Sequence, residues 1–215
     1  MGTNYNPRIV TSGLVLAFDA GNVKSYPGTG TTWSDMSGNG NTGTLTNGPT
    51  YSSTNGGSIV FDGVDDKVDM STSLGTLSNY TVCFWANRGT ENRMAFSTID
   101  ATFYWYGDNS WRYTHGGVAG EYYYTKPTSI PISTWGYYVV VYNGSKVVIY
   151  RQGIYQGEQA TTGTANFSSG LRIGWWSSNT YAFLGNIANV SFYNTALSAA
   201  NVQQNYTALS GRYGI

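Results

Sequence analysis

The chain has 215 residues with a formal net charge of zero, 10% charged residues, 16% aromatics and 28 glycines. A neutral balance gives no electrostatic draw toward nucleic acid or an anionic membrane surface, and so aromatic a composition excludes a disordered chain. Cys83 stands alone, which excludes an internal disulfide framework and a Cys-ligated zinc site.

Met1–Ser12 reads as a polar arm with no apolar leader pattern. Leu14–Phe18 (LVLAF) is the first predicted strand. Ala20–Thr50 follows as a long Gly-, Asn-, Ser- and Thr-rich loop with Trp33 as its one large anchor. Such loops are usually functional or tied down. Ser58–Phe61 and Lys67–Met70 are short strands on either side of DGVDD, and in the second Val68 and Met70 alternate with Lys67 and Asp69. That is the period of a strand buried on one face. Strands are expected next at Tyr80–Ala86, Met94–Ile99, Phe103–Tyr106, Trp111–Thr114 and Glu121–Thr125. Cys83 falls in the first of these as a buried structural thiol. The only histidine, His115, is expected on an exposed loop.

Trp135–Gly157 (WGYYVVVYNGSKVVIYRQGIYQG) reads as a β-meander, with strands at Tyr137–Tyr142, Lys146–Arg151 and Ile154–Gly157. Asn143-Gly144 and Gln152-Gly153 supply its turns, since Gly and Asn accept the positive φ of two-residue hairpins. Leu171–Trp175 and Ala188–Tyr193 complete the strands, and Ser198–Tyr206 is a short helix with Ser198 as N-cap. Regularly spaced strands with Gly-rich turns predict an all-β fold, an antiparallel two-sheet β-sandwich with one short C-terminal helix. No linker breaks the chain, so a single domain over residues 13–215 is expected after the arm. No segment reaches membrane-spanning length, so no membrane insertion is expected.

GLVLAFDAGN, WSDMSGNGNTGTL, GSIVFDGVDDKV, YTVCFWAN, LRIGWW and LGNIANVSFYNTALSAANV occur in order between Gly13 and Tyr206. Together they resemble the laminin-G-like, concanavalin A-type jelly-roll family. The resemblance implies a sandwich fold that hosts lectins, glycosidases, adhesion modules and spacers alike. The stretch from Phe18 to Tyr51 is similar to stand-alone laminin-G-like domains of tailed-phage structural proteins.

Relatives with this fold often carry one structural calcium, and the resemblance places Asp35, Asn39 and Asn41 near it, with Asp19 adding charge. The Asp35–Asn41 loop does offer oxygen side chains at alternate positions, as a hard cation requires. The competing reading is a set of Asx-turns. Ala188 and Asn189 stand where the family usually has acids, which counts against a full ligand set. A second acidic group, Asp62, Asp65, Asp66 and Asp69, reads either as a cation site or as a turn facing water.

Catalysis finds little support. A retaining glycosidase needs two carboxylates about 5–5.5 Å apart, whereas Glu91, Glu121 and Glu158 each lack a second Glu nearby in sequence. No catalytic residue is assigned. For glycan binding, aromatic faces stack on sugar C–H faces, and the candidates are Trp105, Tyr106, Trp111, Trp175 and Trp176. Strand alternation sends Trp105 and Tyr106 to opposite faces, so one of each adjacent pair belongs in the core.

The expected role is a non-enzymatic virion structural protein, a capsid decoration or a tail or fibre component. It would lie on the outer surface of the virion, beside other virion proteins or copies of itself, and bind host-surface glycans weakly. Two alternatives remain: a carbohydrate-binding module of a secreted bacterial protein, and a concanavalin-fold glycosidase.

Overall fold

The computed structural model describes residues 8–70, 72–89, 93–98, 100–106, 110–115, 122–125, 131–175 and 181–215, with the backbone alone for 106, 110 and 122–125. Its strands are β1 (Leu14–Asp19), β2 (Thr32–Trp33), β3 (Gly43–Thr46), β4 (Thr50–Ser52), β5 (Ser58–Asp62), β6 (Lys67–Met70), β7 (Thr76–Leu77), β8 (Tyr80–Arg88) and β9 (Arg93–Ser97). They continue as β10 (Thr102–Tyr106), β11 (Ser110–Thr114), β12 (Tyr122–Thr125), β13 (Trp135–Tyr142), β14 (Lys146–Arg151), β15 (Ile154–Ala160), β16 (Ala165–Asn166), β17 (Arg172–Ile173) and β18 (Leu184–Tyr193), before helix α1 (Ala199–Leu209).

Two antiparallel sheets form the expected sandwich. The first runs β15-β14-β13-β8-β18-β5-β4, and the second β12-β11-β10-β9-β17-β6-β3-β2. Strand β18 holds the first sheet together. Along one edge it pairs with β8; along the other, Leu184–Ile187 meets β5 and Asn189–Tyr193 meets β1. The partner changes at Ala188, where the register with β8 also slips. A bulge of this kind re-aims a strand, and the freed Ala188 carbonyl accepts the Ala20 N–H at 2.9 Å.

The inner faces meet in an aromatic core. Phe18 stacks on Trp33 at 4.9 Å, which ties down the long loop after β1. The outer face of the first sheet is buried too, against α1 and the C-terminal turn. There Trp85 stacks on Tyr213 at 4.2 Å and lies above Tyr206, among Cys83, Tyr137, Val139 and Val202. Strand β8 is therefore buried at every position except Asn87. The same double burial explains why β13 reads YYVVVY without polar alternation.

The meander forms as expected, with one shift. Gln152 and Gly153 both take positive φ, as a type I′ turn requires. The other turn centres on Gly144–Ser145 instead of Asn143-Gly144, because Asn143 N–H already bonds to the Lys146 carbonyl at 3.2 Å. Asn143 instead braces the turn, its Oδ1 accepting the Ser145 and Lys146 N–H groups. Ser198 caps α1 with Asn201 in a reciprocal capping box. His115 departs from expectation. It is buried, 2.8 Å from the Tyr80 hydroxyl through Nδ1 and packed on the Tyr142 ring.

Residues 8–12 of the expected arm are tied into the fold. The Val10 N–H donates to Asn205 Oδ1 at 2.7 Å, and the Tyr193 hydroxyl donates to the Val10 carbonyl at 2.9 Å. Asn205 Nδ2 donates to that hydroxyl at 3.0 Å, closing the network. Removing Asn205 leaves the Val10 N–H without its acceptor and the Tyr193 hydroxyl without its donor, and an unsatisfied buried group costs about 1–3 kcal/mol. Asn205→Ala should therefore lower the urea unfolding free energy by about that amount with an unchanged m-value. Burial also pushes the Cys83 thiol up to about 12, with hydrogen bonds to Tyr137 and Asn205 pulling more weakly the other way. Only a thiolate attacks, so a disulfide reagent at pH 8 should leave native protein unlabelled and label one thiol once it unfolds.

Candidate functional site

The two outer faces of the sandwich differ. The helix covers that of the first sheet. On the second sheet the outward side chains include the polar or aromatic, half-buried or exposed Thr44, Lys67, Asp69, Tyr104, Arg112 and Arg172, beside the buried Met94 and Ser97. Alternation explains the sorting. Val68 and Ile173 pair across β6 and β17 and face the core, so Asp69 and Arg172, the next pair, face out.

Trp175 is the aromatic centre of this face. Its half-buried ring lies 4.9 Å from Lys67 Nζ and 4.9 Å from the Arg172 guanidinium carbon. Both cations share Asp69, with Lys67 at 3.4 Å and Arg172 Nε at 2.7 Å. A ring flanked by two cations is held by its quadrupole, at about 0.5–1 kcal/mol per contact near the surface. Tyr104, on the same sheet, meets Tyr181 edge-to-face at 5.3 Å. Rings and fixed hydrogen-bonding groups thus share one half-open surface.

Trp105 and Trp111 do not belong to it. Each is 0% exposed. They face each other across β10 and β11 and point into the sandwich, edge-on to Tyr138 at 5.2 Å apiece. Period two sends both members of a directly paired couple to the same face, and here that face is the core. They are corrected from sugar-stacking residues to core residues. Tyr106 keeps its place on β10, but its side chain, like the whole of Trp176, lies outside the described residues. Trp175 alone of the five lies where a ligand can reach a described ring.

The expected calcium ligands are engaged elsewhere. Asp35 Oδ1 accepts the N–H groups of Ala17 and Ser37, at 2.9 and 2.8 Å. Its Oδ2 accepts the Ser37 hydroxyl and the Asn41 N–H, at 2.7 and 2.9 Å. A carboxylate has about four acceptor sites, and all are used to staple the loop to β1. Asn39 and Asn41 donate through their amides to the Leu14 and Val15 carbonyls. Asp19 is neutralised by Arg212, whose NH1 reaches both carboxylate oxygens at 3.0 and 3.1 Å. Its cross-strand neighbour is the uncharged Asn189. These four residues do not fit a calcium ion, because a guanidinium and backbone donors already occupy the acids' oxygens.

The turn between β5 and β6 differs. Asp62, Asp65 and Asp66 bring carboxylate oxygens within 4.8 Å of one another. Asp66 Oδ2 accepts the Asp62 N–H at 2.8 Å, and Asp62 Oδ1 accepts the Val64 N–H at 2.8 Å. Burial, and then the neighbouring Asp62 and Asp65 charges, hold the Asp66 carboxyl above the usual carboxylate range against that backbone hydrogen bond. The sequence flagged this cluster, but its reading of water-facing acids fails for Asp66, which is buried.

Residues 61–203 match the sequence profile of the concanavalin A-like lectin/glucanases superfamily, in its laminin-G-like branch. The chain belongs to that superfamily. No curated protein sequence matches it. Among solved structures, domain 4 of a GH43 extracellular arabinanase from Geobacillus stearothermophilus, in complex with arabinotriose, superposes with a TM-score of 0.68 at 18% identity, covering 91% of this chain and 98% of that one. The binding domain of Paraclostridial Mosquitocidal Protein 1 gives 0.71 at 12% identity, over 90% of this chain and 52% of that one. The botulinum neurotoxin serotype D ligand-binding domain, in complex with N-acetylneuraminic acid, gives 0.71 at 11% identity over 92% and 51%. The superfamily domain thus spans about half the length of the two toxin domains. Identities this low establish a shared fold.

The staple at Asp35 is a stability element. Asp35→Ala removes four hydrogen bonds to a charged group, where one such bond is worth about 1.5–3 kcal/mol. The variant should lose at least about 2 kcal/mol in chemical denaturation, and calcium should not restore it.

Proposed function

We propose that this chain is a non-catalytic glycan-binding domain whose ligand lies across the outer face of the second sheet. The observation that carries the reading is Trp175, half-buried on that face between Lys67 and Arg172. A pyranose or furanose ring can stack on the indole while Asp69, Arg172 and Tyr104 take its hydroxyls. The two cations favour a glycan that bears a carboxylate, provided their bonds to Asp69 rearrange. The arabinotriose and N-acetylneuraminic acid complexes of the arabinanase and neurotoxin domains support a saccharide ligand for the same architecture. Against catalysis, Glu158 is exposed and committed to Lys146 at 2.8 Å, and Asp69 is bound by two cations.

The setting we propose is the outside of a phage particle, as a capsid decoration or as part of a tail or fibre beside other virion proteins. The likeness of the Phe18–Tyr51 stretch to phage structural domains supports it. A second reading, a carbohydrate-binding module of a secreted bacterial protein, is favoured by the near-complete coverage of arabinanase domain 4. Mass spectrometry of purified particles against culture supernatant separates the two.

A glycan array tests the binding itself. Wild type should retain a small set of saccharides at micromolar to millimolar affinity, and Trp175→Ala should lose them about tenfold or more while remaining folded, its melting temperature lowered by only a few degrees. An array on which wild type binds nothing, or on which Trp175→Ala binds as wild type does, removes the reading.

A further inference from the structure

Asp66 presents a physical problem that the rest of the molecule does not solve. Its side chain is buried, with the residue 3% exposed, and Oδ1 has no hydrogen-bond partner. An orphaned buried carboxylate oxygen is costly. Asp62 and Asp65 add two further acids within 4.8 Å, and like charges at that range repel. Among the described residues no cation pairs with any of the three. Lys67, next in sequence, turns to the opposite face and is held by Asp69 and the Trp175 ring.

We propose that the turn between β5 and β6 is a binding site for one calcium ion, held by Asp62, Asp65 and the buried Oδ1 of Asp66. Calcium takes oxygen ligands at 2.3–2.6 Å, so two ligands on one ion lie at most about 5 Å apart. One carboxylate oxygen from each of the three lies within 4.8 Å of the others, inside that span. The exposed position of Asp62 lets water complete the six to eight ligands that calcium accepts. Magnesium is the poorer fit, since it demands near-ideal octahedral geometry and keeps most of its own water.

The turn is already shaped for the ion. The Asp62 N–H on Asp66 Oδ2 fixes the buried carboxylate with its other oxygen free. Asn47 Nδ2 donates to the Asp65 carbonyl at 3.1 Å, which anchors the middle of the turn to the β3–β4 connection. Gly63 takes a positive φ of 80° and leaves room for Leu184, whose Cβ would lie 2.9 Å from an added Cβ. The site is distinct from the glycan face and independent of it. It sits on the link between the two sheets, so an ion there cross-braces the sandwich.

Isothermal titration of the full chain with calcium chloride, after chelator treatment, tests this directly. The expected result is saturable binding of one ion with a dissociation constant on the order of 10⁻⁴–10⁻³ M, the range of extracellular calcium modules. A rise in melting temperature beyond that given by sodium chloride at equal ionic strength should accompany it. Asp66→Asn should abolish both effects. Because that variant alters a buried group, the exposed Asp62 and the half-buried Asp65 are changed separately, and Asp62→Asn with Asp65→Asn should weaken calcium at least about tenfold while the fold persists. Asp35→Asn should leave the calcium affinity unchanged. The proposal is overturned if wild type gives no saturable heat, if the Asp62/Asp65 double variant binds as tightly as wild type, or if Asp35→Asn is the variant that loses the ion.

Discussion

Burial of the first sheet on both faces is the constraint on which the molecule depends. Strand β8 carries Val82, Phe84 and Ala86 into the sandwich and Cys83 and Trp85 into the layer beneath the helix. A strand with no solvent face has no polar positions to spare, and its register is fixed twice over, since a slip by one residue would exchange two different cores. The stack of Trp85 on Tyr213 and Tyr206 closes the second layer with residues more than a hundred positions away. The segment around Val10 and the C-terminal turn are thereby made structural. The C-terminal turn lies over Trp85, and Val10 is bound through Asn205 and Tyr193.

This asymmetry also locates function. One face of the first sheet is closed by a helix, while the outer face of the second sheet carries half-buried and exposed polar and aromatic side chains. The charges around Trp175 are placed by antiparallel register. Arg172 and Asp69 pair across β17 and β6, and Lys67 lies two residues along the same face. Three strand positions chosen by alternation thus assemble the charges, and the turn at Gly174, with a φ of 83°, brings Trp175 to them just beyond β17. The acids of the molecule divide by the same logic. Asp19, Asp35 and Asp69 are consumed by guanidinium, backbone or ammonium partners, while Asp62, Asp65 and Asp66 sit together on a turn that offers them none among the described residues.

The composition and periodicity already carried the architecture. The meander, the Ser198 cap and the alternating Lys67–Met70 strand were legible because each is a local rule acting over a few residues. The family resemblance added the jelly-roll type of the sandwich. Legibility ended where a decision required a neighbour distant in sequence. His115 reads as a loop residue until Tyr80 and Tyr142 are placed around it. The Asp35 loop reads as a cation loop until Ala17 and Asn41 are seen to supply its donors.

The sequence by itself determined that this is a neutral, aromatic-rich, all-β chain, because composition and a period of two are properties of the chain alone. A period of two also leads one to expect that neighbours such as Trp105 and Tyr106 lie on opposite sides of a strand. Only the tertiary structure decided which side was the interior. That choice depends on which face of the sheet the other sheet covers, and it buried Trp105 and Trp111 while leaving Trp175 half-open. Side-chain direction is local, but burial is a relation between layers, and no strand carries that relation in its own residues.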